Sequence, residues 1–263
     1  MLRSLYSGIS GMKNFQTKLD VIGNNIANVN TAGFKKGRVT FQDMLSQTNS
    51  VAQGSTGGRG GINAMQVGVG SQTGSIDNIQ TQGYRQTTNN PLDLMIEGDG
   101  MFAVRGDGTT YYTRAGNFYL DNQGNIVNPD GYYLLDEDGN YINIPADAQS
   151  FSIQPNGEVT YIDENNAQQT AGTIGIAVFS NPSGLEKAGN NLFVTTDNAG
   201  YSGLQAPGDD GAGSLVSGAL EMSNVDLAEE FTEMITAQRA FQANTRIITT
   251  SDQILEELVN LKR

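Results

Sequence analysis

The sequence has no histidine, no cysteine and no tryptophan in 263 residues. The first two absences exclude a Ser-His-Asp triad, a thiol nucleophile, imidazole or thiolate zinc ligation, iron–sulfur clusters and haem held by His or Cys. They also exclude disulfides, so cysteine pairing says nothing about redox compartment. Catalysis is left with carboxylate, Lys, Ser, Thr and Tyr chemistry. No stretch of ~18 apolar residues exists that would cross a membrane as a helix. Met1 to Gly11 has no continuous apolar run of the kind a cleaved signal peptide carries. Proline is scarce and segregated, with all six residues between Pro91 and Pro207. Basic charge is scarce too. Fifteen Lys and Arg face 28 Asp and Glu, a net charge of −13 that argues against nucleic acid or an anionic membrane as the main partner.

What is abundant is glycine, 33 residues, together with 26 asparagines. Both tolerate positive φ, so the chain is rich in turns. Hydrophobic residues make up 37% and charged residues 16%, too apolar for a disordered acidic chain. The length suits one large domain or two small ones. The charge is uneven. Residues 1–40 hold six bases (Arg3, Lys13, Lys18, Lys35, Lys36, Arg38) against one acid, Asp20, a net of +5. These bases are scattered among Asn, Gly and Ser, which reads as a solvated face more than as a nucleic-acid arm.

Helical periodicity is confined to the two proline-free ends. Leu2, Leu5, Ile9, Met12, Phe15, Leu19, Ile22, Ile26 and Val29 follow one another in steps of three and four, the stripe of a coiled-coil helix. Gly8, Gly11 and Gly23 weaken that helix by roughly 1 kcal/mol each relative to Ala. Near the other end, Ser223-Asn-Val-Asp226 reads as a helix start, followed by Glu229, Glu230 and Glu233 where the helix dipole favours acids. From there a 4-3 stepping gives Leu227, Phe231, Met234, Gln238, Phe241, Thr245, Ile248, Asp252, Leu255 and Val259. A helix over 225–261 would be ~55 Å long and needs a partner along its length. The N-terminal stripe is the available one. The pattern predicts an antiparallel arm made from both termini. Two helices cannot bury every apolar face, so the arm is expected to associate with further copies of the chain.

Between the ends the chain reads as β. Asp107-Gly108, Gln123-Gly124, Asp130-Gly131, Asp138-Gly139 and Asn156-Gly157 punctuate short runs rich in Tyr, Ile, Val and Thr, a hairpin signature. Two glycine-rich stretches, around 47–75 and 199–213, have linker composition. The predicted fold is α+β, mainly β: paired terminal helices as a coiled-coil arm and a central antiparallel β domain, sandwich or barrel-like. The corresponding divisions are 1–30 with 218–263 for the terminal helices, 31–75 for a linker, and 76–217 for the β domain.

The candidate chemical motifs have plainer readings. Gly68-Val-Gly70-Ser-Gln-Thr-Gly74 is a poor dinucleotide loop, its last glycine being misplaced and no strand–helix unit surrounding it. Asp136-Glu-Asp138-Gly-Asn140 resembles a calcium loop, but Tyr141 stands where an EF-hand loop requires glycine, and a tight turn accounts for it. The acids of Glu97-Gly-Asp99-Gly could pair for glycoside cleavage, or simply lie on the surface. No catalytic, metal or cofactor site is expected.

The ends carry a resemblance. Leu19-Asp-Val-Ile-Gly-Asn-Asn-Ile-Ala-Asn-Val-Asn-Thr-Ala-Gly-Phe-Lys35 is similar to the N-terminal signature of bacterial flagellar rod and hook proteins, with Asn24, Asn25, Asn28, Thr31, Gly33, Phe34 and Lys35 as its distinctive residues. Ser223-Asn-Val-Asp-Leu-Ala-Glu-Glu230, Ala237-Gln-Arg-Ala-Phe-Gln242 and Asp252-Gln-Ile-Leu255 resemble the C-terminal one. Asp93-Leu-Met-Ile-Glu-Gly-Asp-Gly-Met-Phe102, Tyr112-Thr-Arg-Ala-Gly-Asn-Phe118 and Asn181-Pro-Ser-Gly-Leu185 agree in the middle. The resemblance implies a structural, self-polymerising subunit and no enzyme. Its polymerisation helices would use Leu5, Ile9, Met12, Leu19, Ile22, Ile26, Leu227, Phe231, Met234, Phe241, Ile248 and Leu255. It also implies secretion by the flagellar export apparatus without signal cleavage, with Phe41-Gln-Asp-Met-Leu45 as the element read at the export gate. Packing of Phe41 and Leu45 explains that element equally well. Within the family, Gly218-Ala-Leu-Glu-Met-Ser-Asn-Val-Asp-Leu227 and the ending Leu258-Val-Asn-Leu-Lys-Arg263 look most like hook subunits, which form a flexible universal joint. The chain length and the Leu-Tyr-Ser-Gly start look like the distal rod, a rigid drive shaft. The expectation is therefore a short hook subunit, located in the hook or basal body, with the distal rod, hook cap and hook–filament junction proteins as partners; the distal rod subunit is the alternative. Outside the family, an extracellular glycan-binding or glycan-cleaving β domain with helical tails is the competing reading.

Overall fold

The computed structural model describes residues 2–55, 60–106, 108–145, 147–164, 166–209 and 211–261. The protein divides into two compact units. One takes Met1–Ala27, Gly37–Asp77 and Asp226–Arg263, the other Asn28–Lys36 and Asn78–Val225.

The first unit is built on two helices, α1 (Leu2–Ala27) and α2 (Leu227–Leu261). They pack antiparallel: Asn25 meets Glu230, Met12 meets Thr245, and Gly8 lies against Ile248. The seam on α2 is Glu230, Met234, Ala237, Phe241, Asn244, Ile248, Ser251 and Leu255, stepping four and three and all at least partly buried. The sequence pattern placed Leu227 and Phe231 in that seam, and the structure leaves both exposed, Phe231 at 50%. The reason is on α1. Gly8 and Gly11 let α2 approach so closely that a Cβ at Gly11 would lie 3.0 Å from the Asn244 amide. Asn244 and Ile248 of α2 face these glycines, and the register they set puts Glu230, rather than Phe231, on Asn25. The helix start also shifts. Asp226, rather than Ser223, is the cap, its Oδ1 accepting from the Ala228 and Glu229 amides at 2.8 and 3.4 Å.

Residues 37–77 are not a plain linker. Gly37–Asp43 pairs with Ser71–Asn78, and Ser46–Ser50 pairs with Met65–Gly68. The second ribbon is exposed on both faces. Ser46–Ser50 is wholly polar and Met65–Gly68 is only four residues long, so the pattern gave little sign of them. α1 holds the first ribbon through the Asn14 amide, which donates to Ser71 Oγ (2.9 Å), and through Phe15, whose ring centroid is 5.9 Å from that of Phe41.

The second unit is antiparallel β throughout. It contains one large sheet rather than a simple sandwich, with a three-stranded sheet (Ser150–Ile153, Glu158–Ile162, Gln168–Thr173) and two short strand pairs beside it. The glycines of the turn dipeptides, Gly108, Gly124, Gly131, Gly139 and Gly157, all have φ between 79° and 84°, as hairpin turns require. Asp107 lies outside the described residues. The strand Met101–Gly106 is central, pairing with Thr109–Thr113, Tyr133–Leu134 and Ile176–Phe179. Alternation sends Phe102 and Val104 into one core, with Leu94, Ile96, Phe118 and Ile174. Met101 and Ala103 enter another, with Tyr112, Phe179 and Phe193. The stretch Ala219–Glu221, read from sequence with the C-terminal helix, pairs here with Arg85–Thr87.

Phe102 is fully buried and meets Phe118 edge-on at 5.3 Å. Phe102→Ala is expected to lower the unfolding free energy of the β unit by about 3–5 kcal/mol. Urea unfolding followed by tyrosine fluorescence checks this; a loss below 1 kcal/mol would mean the site collapses around the smaller side chain.

Candidate functional site

The signature residues 24–36 run from the last turn of α1 into an irregular stretch held by several specific hydrogen bonds. In the helical unit, Asn25 is buried, and its amide spans three partners. Oδ1 accepts from Gly37 N–H (2.9 Å), while Nδ2 donates to Gly37 O (2.9 Å) and to Glu230 Oε2 (3.1 Å). One side chain thus fixes the end of α1 against both the returning chain and the start of α2. Lys18 and Glu233 add a half-exposed ion pair at 2.8 Å, worth little by itself. Asn24 is exposed.

In the β unit the signature continues as a turn. Asn28 Oδ1 accepts from Thr31 Oγ1, and Gly33 takes φ +70°. Gly33 sits so close to the 114–115 backbone that a Cβ would lie 2.5 Å from the Ala115 amide, so no other residue fits. Phe34 lies beneath Lys187, whose ammonium is 5.3 Å from its ring centre.

Lys35 follows, fully buried, with its Nζ 2.5 Å from Glu221 Oε1 and 2.8 Å from Thr81 O. The same carboxylate accepts from Gly83 N–H at 2.8 Å and from Arg114 Nη1 at 3.2 Å. Arg114 also donates to Gly98 O. The backbone joins in, Gly33 N–H donating to Glu221 O. Two cations share one anion. Arginine does not give up its proton, so the imbalance falls on Lys35. Burial pushes its pKa below the usual lysine value and the Arg114 charge adds to this, while Glu221 opposes both. Glu221 and Arg114 were not picked out from the sequence as site residues. A signal was present: Arg114 is the single base between Arg105 and Lys187. A solitary base in an acidic stretch marks a group kept for a specific partner.

Three family descriptions match successive parts of the chain: "Flagella basal body rod protein" over 5–35, "Flagellar hook protein FlgE/F/G D1 domain" over 95–161, and "Flagellar basal body rod FlgEFG protein C-terminal" over 216–261. The flagellar basal-body rod protein FlgG of Bacillus subtilis is 61% identical over 267 aligned positions, covering the whole of both chains. The chain belongs to the flagellar rod and hook protein family. FlgG of Caulobacter vibrioides is 43% identical, covering 99% of this chain and all of its own. The flagellar hook protein FlgE of Borreliella burgdorferi is 31% identical over 441 aligned positions, covering all of both. As a member of the rod and hook family the chain is a structural protein of the flagellum and not an enzyme.

The remaining sequence-derived positions fall into groups. Ile22 is buried on α1, and Leu5, Met12, Leu19 and Ile26 are half-buried; Met234, Phe241, Ile248 and Leu255 are half-buried in the α2 seam. Ile9, Leu227 and Phe231 are exposed. Leu45 is 89% exposed, and Phe41 keeps one face on Phe15. Asp136 holds a turn, its Oδ1 accepting from the Glu137 and Thr173 amides.

Breaking the buried network by Glu221→Gln or Lys35→Met is expected to cost about 3–5 kcal/mol each. The double variant should lose less than the sum by roughly 1–3 kcal/mol, which urea unfolding of the four proteins measures. Additive losses would mean that the two groups do not interact. The pH dependence has a definite sign. The folded protein binds Lys35's proton less tightly than the unfolded chain, whose lysine titrates at 10.5. Stability relative to Lys35→Met should therefore rise as pH is raised toward that value.

Proposed function

We propose that this chain is the subunit of the distal rod of the bacterial flagellum, a self-polymerising part of the basal-body drive shaft. The observation that carries self-assembly is the apolar surface that α2 leaves uncovered. With the seam filled, Leu227, Phe231, Ile235, Ile247, Ile254 and Leu258 remain exposed along the helix, Phe231 and Ile235 on one flank of the seam and Ile247 and Ile254 on the other. Exposed apolar surface of that extent on a helix of 35 residues needs further protein to cover it. The rod reading is favoured over the hook by length. The rod-type relative from Bacillus subtilis aligns over 267 positions, while the hook-type relative from Borreliella burgdorferi requires 441. The expectation of a short hook subunit gives way to this alternative, and with it the flexible joint gives way to a rigid shaft.

On this reading the terminal helices, within 1–30 and 218–263, build the inner layer of a homopolymer through Leu5, Ile9, Met12, Leu19, Ile22, Ile26, Leu227, Phe231, Met234, Phe241, Ile248 and Leu255. The segment 31–75 contacts neighbouring subunits. Its outer ribbon is exposed on both faces and carries Val51, Ile62, Met65 and Val67 in the open, which supports that role. Residues 76–217 form the outer domain. Asn24, Asn25, Asn28, Thr31, Gly33, Phe34 and Lys35 carry the family signature. Other rod and hook components are the partners at either end of the polymer. Phe41 and Leu45 serve as the export-gate element, and the exposure of Leu45 suits recognition by another protein.

Electron microscopy of the purified chain at rising concentration tests the proposal: straight, rigid tubes are expected, and curved or bendable ones would return the chain to the hook. Phe231→Asp, outside the helix seam, should abolish tubes while leaving the helical circular dichroism and the β-unit unfolding transition unchanged. Tubes that persist in that variant would remove the exposed flank carrying Phe231 from the assembly.

A further inference from the structure

The register of the helix pair leaves one end of α2 without a companion. Asn25 faces Glu230, Met12 faces Thr245 and Gly8 faces Ile248, so each step back along α1 is a step forward along α2. Leu2, the first described residue of α1, therefore stands opposite about position 254, and residues 256–261 run on for ~9 Å beyond it. This protruding end is apolar on one side: Leu258, Val259 and Leu261 are 49%, 65% and 82% exposed. It is acidic on the other. Asp252, Glu256 and Glu257 fall within 249–261, which contains no base; Lys262 and Arg263 follow outside the described residues.

The same unit carries a groove of complementary character. It has a volume of about 380 Å³ and lies between the first four turns of α1 and the ribbon. Tyr6, Ile9, Met44 and Val69 give it an apolar lining, and Arg3 and Lys13 supply its charge. None of the residues lining it is acidic, and the first acid of α1 is Asp20.

We propose that this groove receives the protruding end of α2 from a second copy of the chain. The proposal rests on the reading of the protein as a self-assembling subunit, and names the contact through which copies join. The chain's own α2 end cannot fill the groove, because it continues away from α1 as a stiff helix while the groove flanks residues 3–13. An amphipathic helical end entering an apolar groove is an established recognition mode. Leu258 and Leu261 lie one turn apart on the face that would enter, while Glu256 and Glu257 would approach Arg3 and Lys13. Groove and tip are different surfaces, so the contact is heterologous. Each added copy presents a new tip or a new groove, the condition for an open polymer rather than a closed dimer.

The absence of cysteine makes the test clean. Three full-length chains are prepared, each with one thiol: Ile9→Cys in the groove, Leu258→Cys on the tip, and Tyr84→Cys on the exposed surface of the β unit as a collision control. A disulfide in any mixture then joins two different chains. Under mild oxidation the 9–258 heterodimer should exceed the 9–84 and 84–258 products roughly ten-fold or more, as effective concentration at a formed contact dictates. Adding Lys13→Glu to the groove chain should suppress it, and adding Glu257→Lys to the tip chain should then restore it. Sedimentation of the wild-type chain is measured alongside. Polymer with 9–258 pairing no higher than the controls would overturn the groove contact and leave self-assembly standing. Neither polymer nor preferential pairing would overturn both.

Discussion

A lysine ammonium removed from water has to be neutralised where it stands, and in this protein Lys35 is met by one carboxylate. Glu221 Oε1 takes Lys35 and the Gly83 amide, and its Oε2 takes Arg114. The two ends of the β unit, residues 28–36 and 219–225, are brought together at that carboxylate, with stretches near 81–83, 98 and 114 gathered around it. Burying two cations and an anion gives little net stability against well-packed apolar groups, but removing one member strands the others. The arrangement therefore acts on specificity. The strand pair Ala219–Glu221 with Arg85–Thr87 is short and could slip by a residue. With Glu221 pinned on three donors, a slip would place Leu220 or Met222 against Lys35. Gly33 completes the constraint, because the 114–115 backbone occupies the space any side chain would need.

The helical unit follows another rule. Its two helices come close because α1 offers glycine where α2 offers Asn244 and Ile248. Close approach makes good use of small residues and turns large ones outward. The result is a pair with a narrow, partly polar seam and a broad apolar exterior. Glu230, Asn244 and Ser251 in the seam give register, since Glu230 is fixed on Asn25 and Asn244 fits only against Gly11. A seam of this kind sets geometry more than it supplies stability.

Much of this was legible in the sequence, and the misses have physical causes. The terminal helices, their antiparallel pairing and the hairpin turns follow from 3-4 spacing, proline placement and the Asp-Gly and Asn-Gly pairs. The stripe on α2 was half right. Met234, Phe241, Ile248 and Leu255 are in the seam, but its alternate positions are Ala237, Asn244 and Ser251, not the neighbouring Gln238, Thr245 and Asp252. Hydrophobicity counts cannot see a seam made of small and polar residues that fit glycines on another helix. The ribbon of Ser46–Ser50 with Met65–Gly68 was read as linker because one strand is wholly polar and the other, of four residues, is too short to stand out beside the glycine-rich stretch between them. The Lys35–Glu221–Arg114 cluster was invisible for a different reason. Its members are 79 and 107 residues apart along the chain, and no local pattern encodes a long-range ion pair. Only the isolation of Arg114 among acids hinted at it.

The two units thus divide the labour of folding. The β unit has fully buried cores, which stabilise a chain by themselves, and a pinned carboxylate that fixes its register. The helical unit has glycines in α1, each costing roughly 1 kcal/mol in helix propensity relative to alanine, and exposes the apolar residues that would offset that cost. Any contact that covers these residues binds the folded helices and not the unfolded ones, so it stabilises them by mass action. A pair built this way gains order as neighbours arrive. The feature that weakens the isolated arm, a seam too thin to use all its apolar surface, is the one that makes its stability rise with assembly.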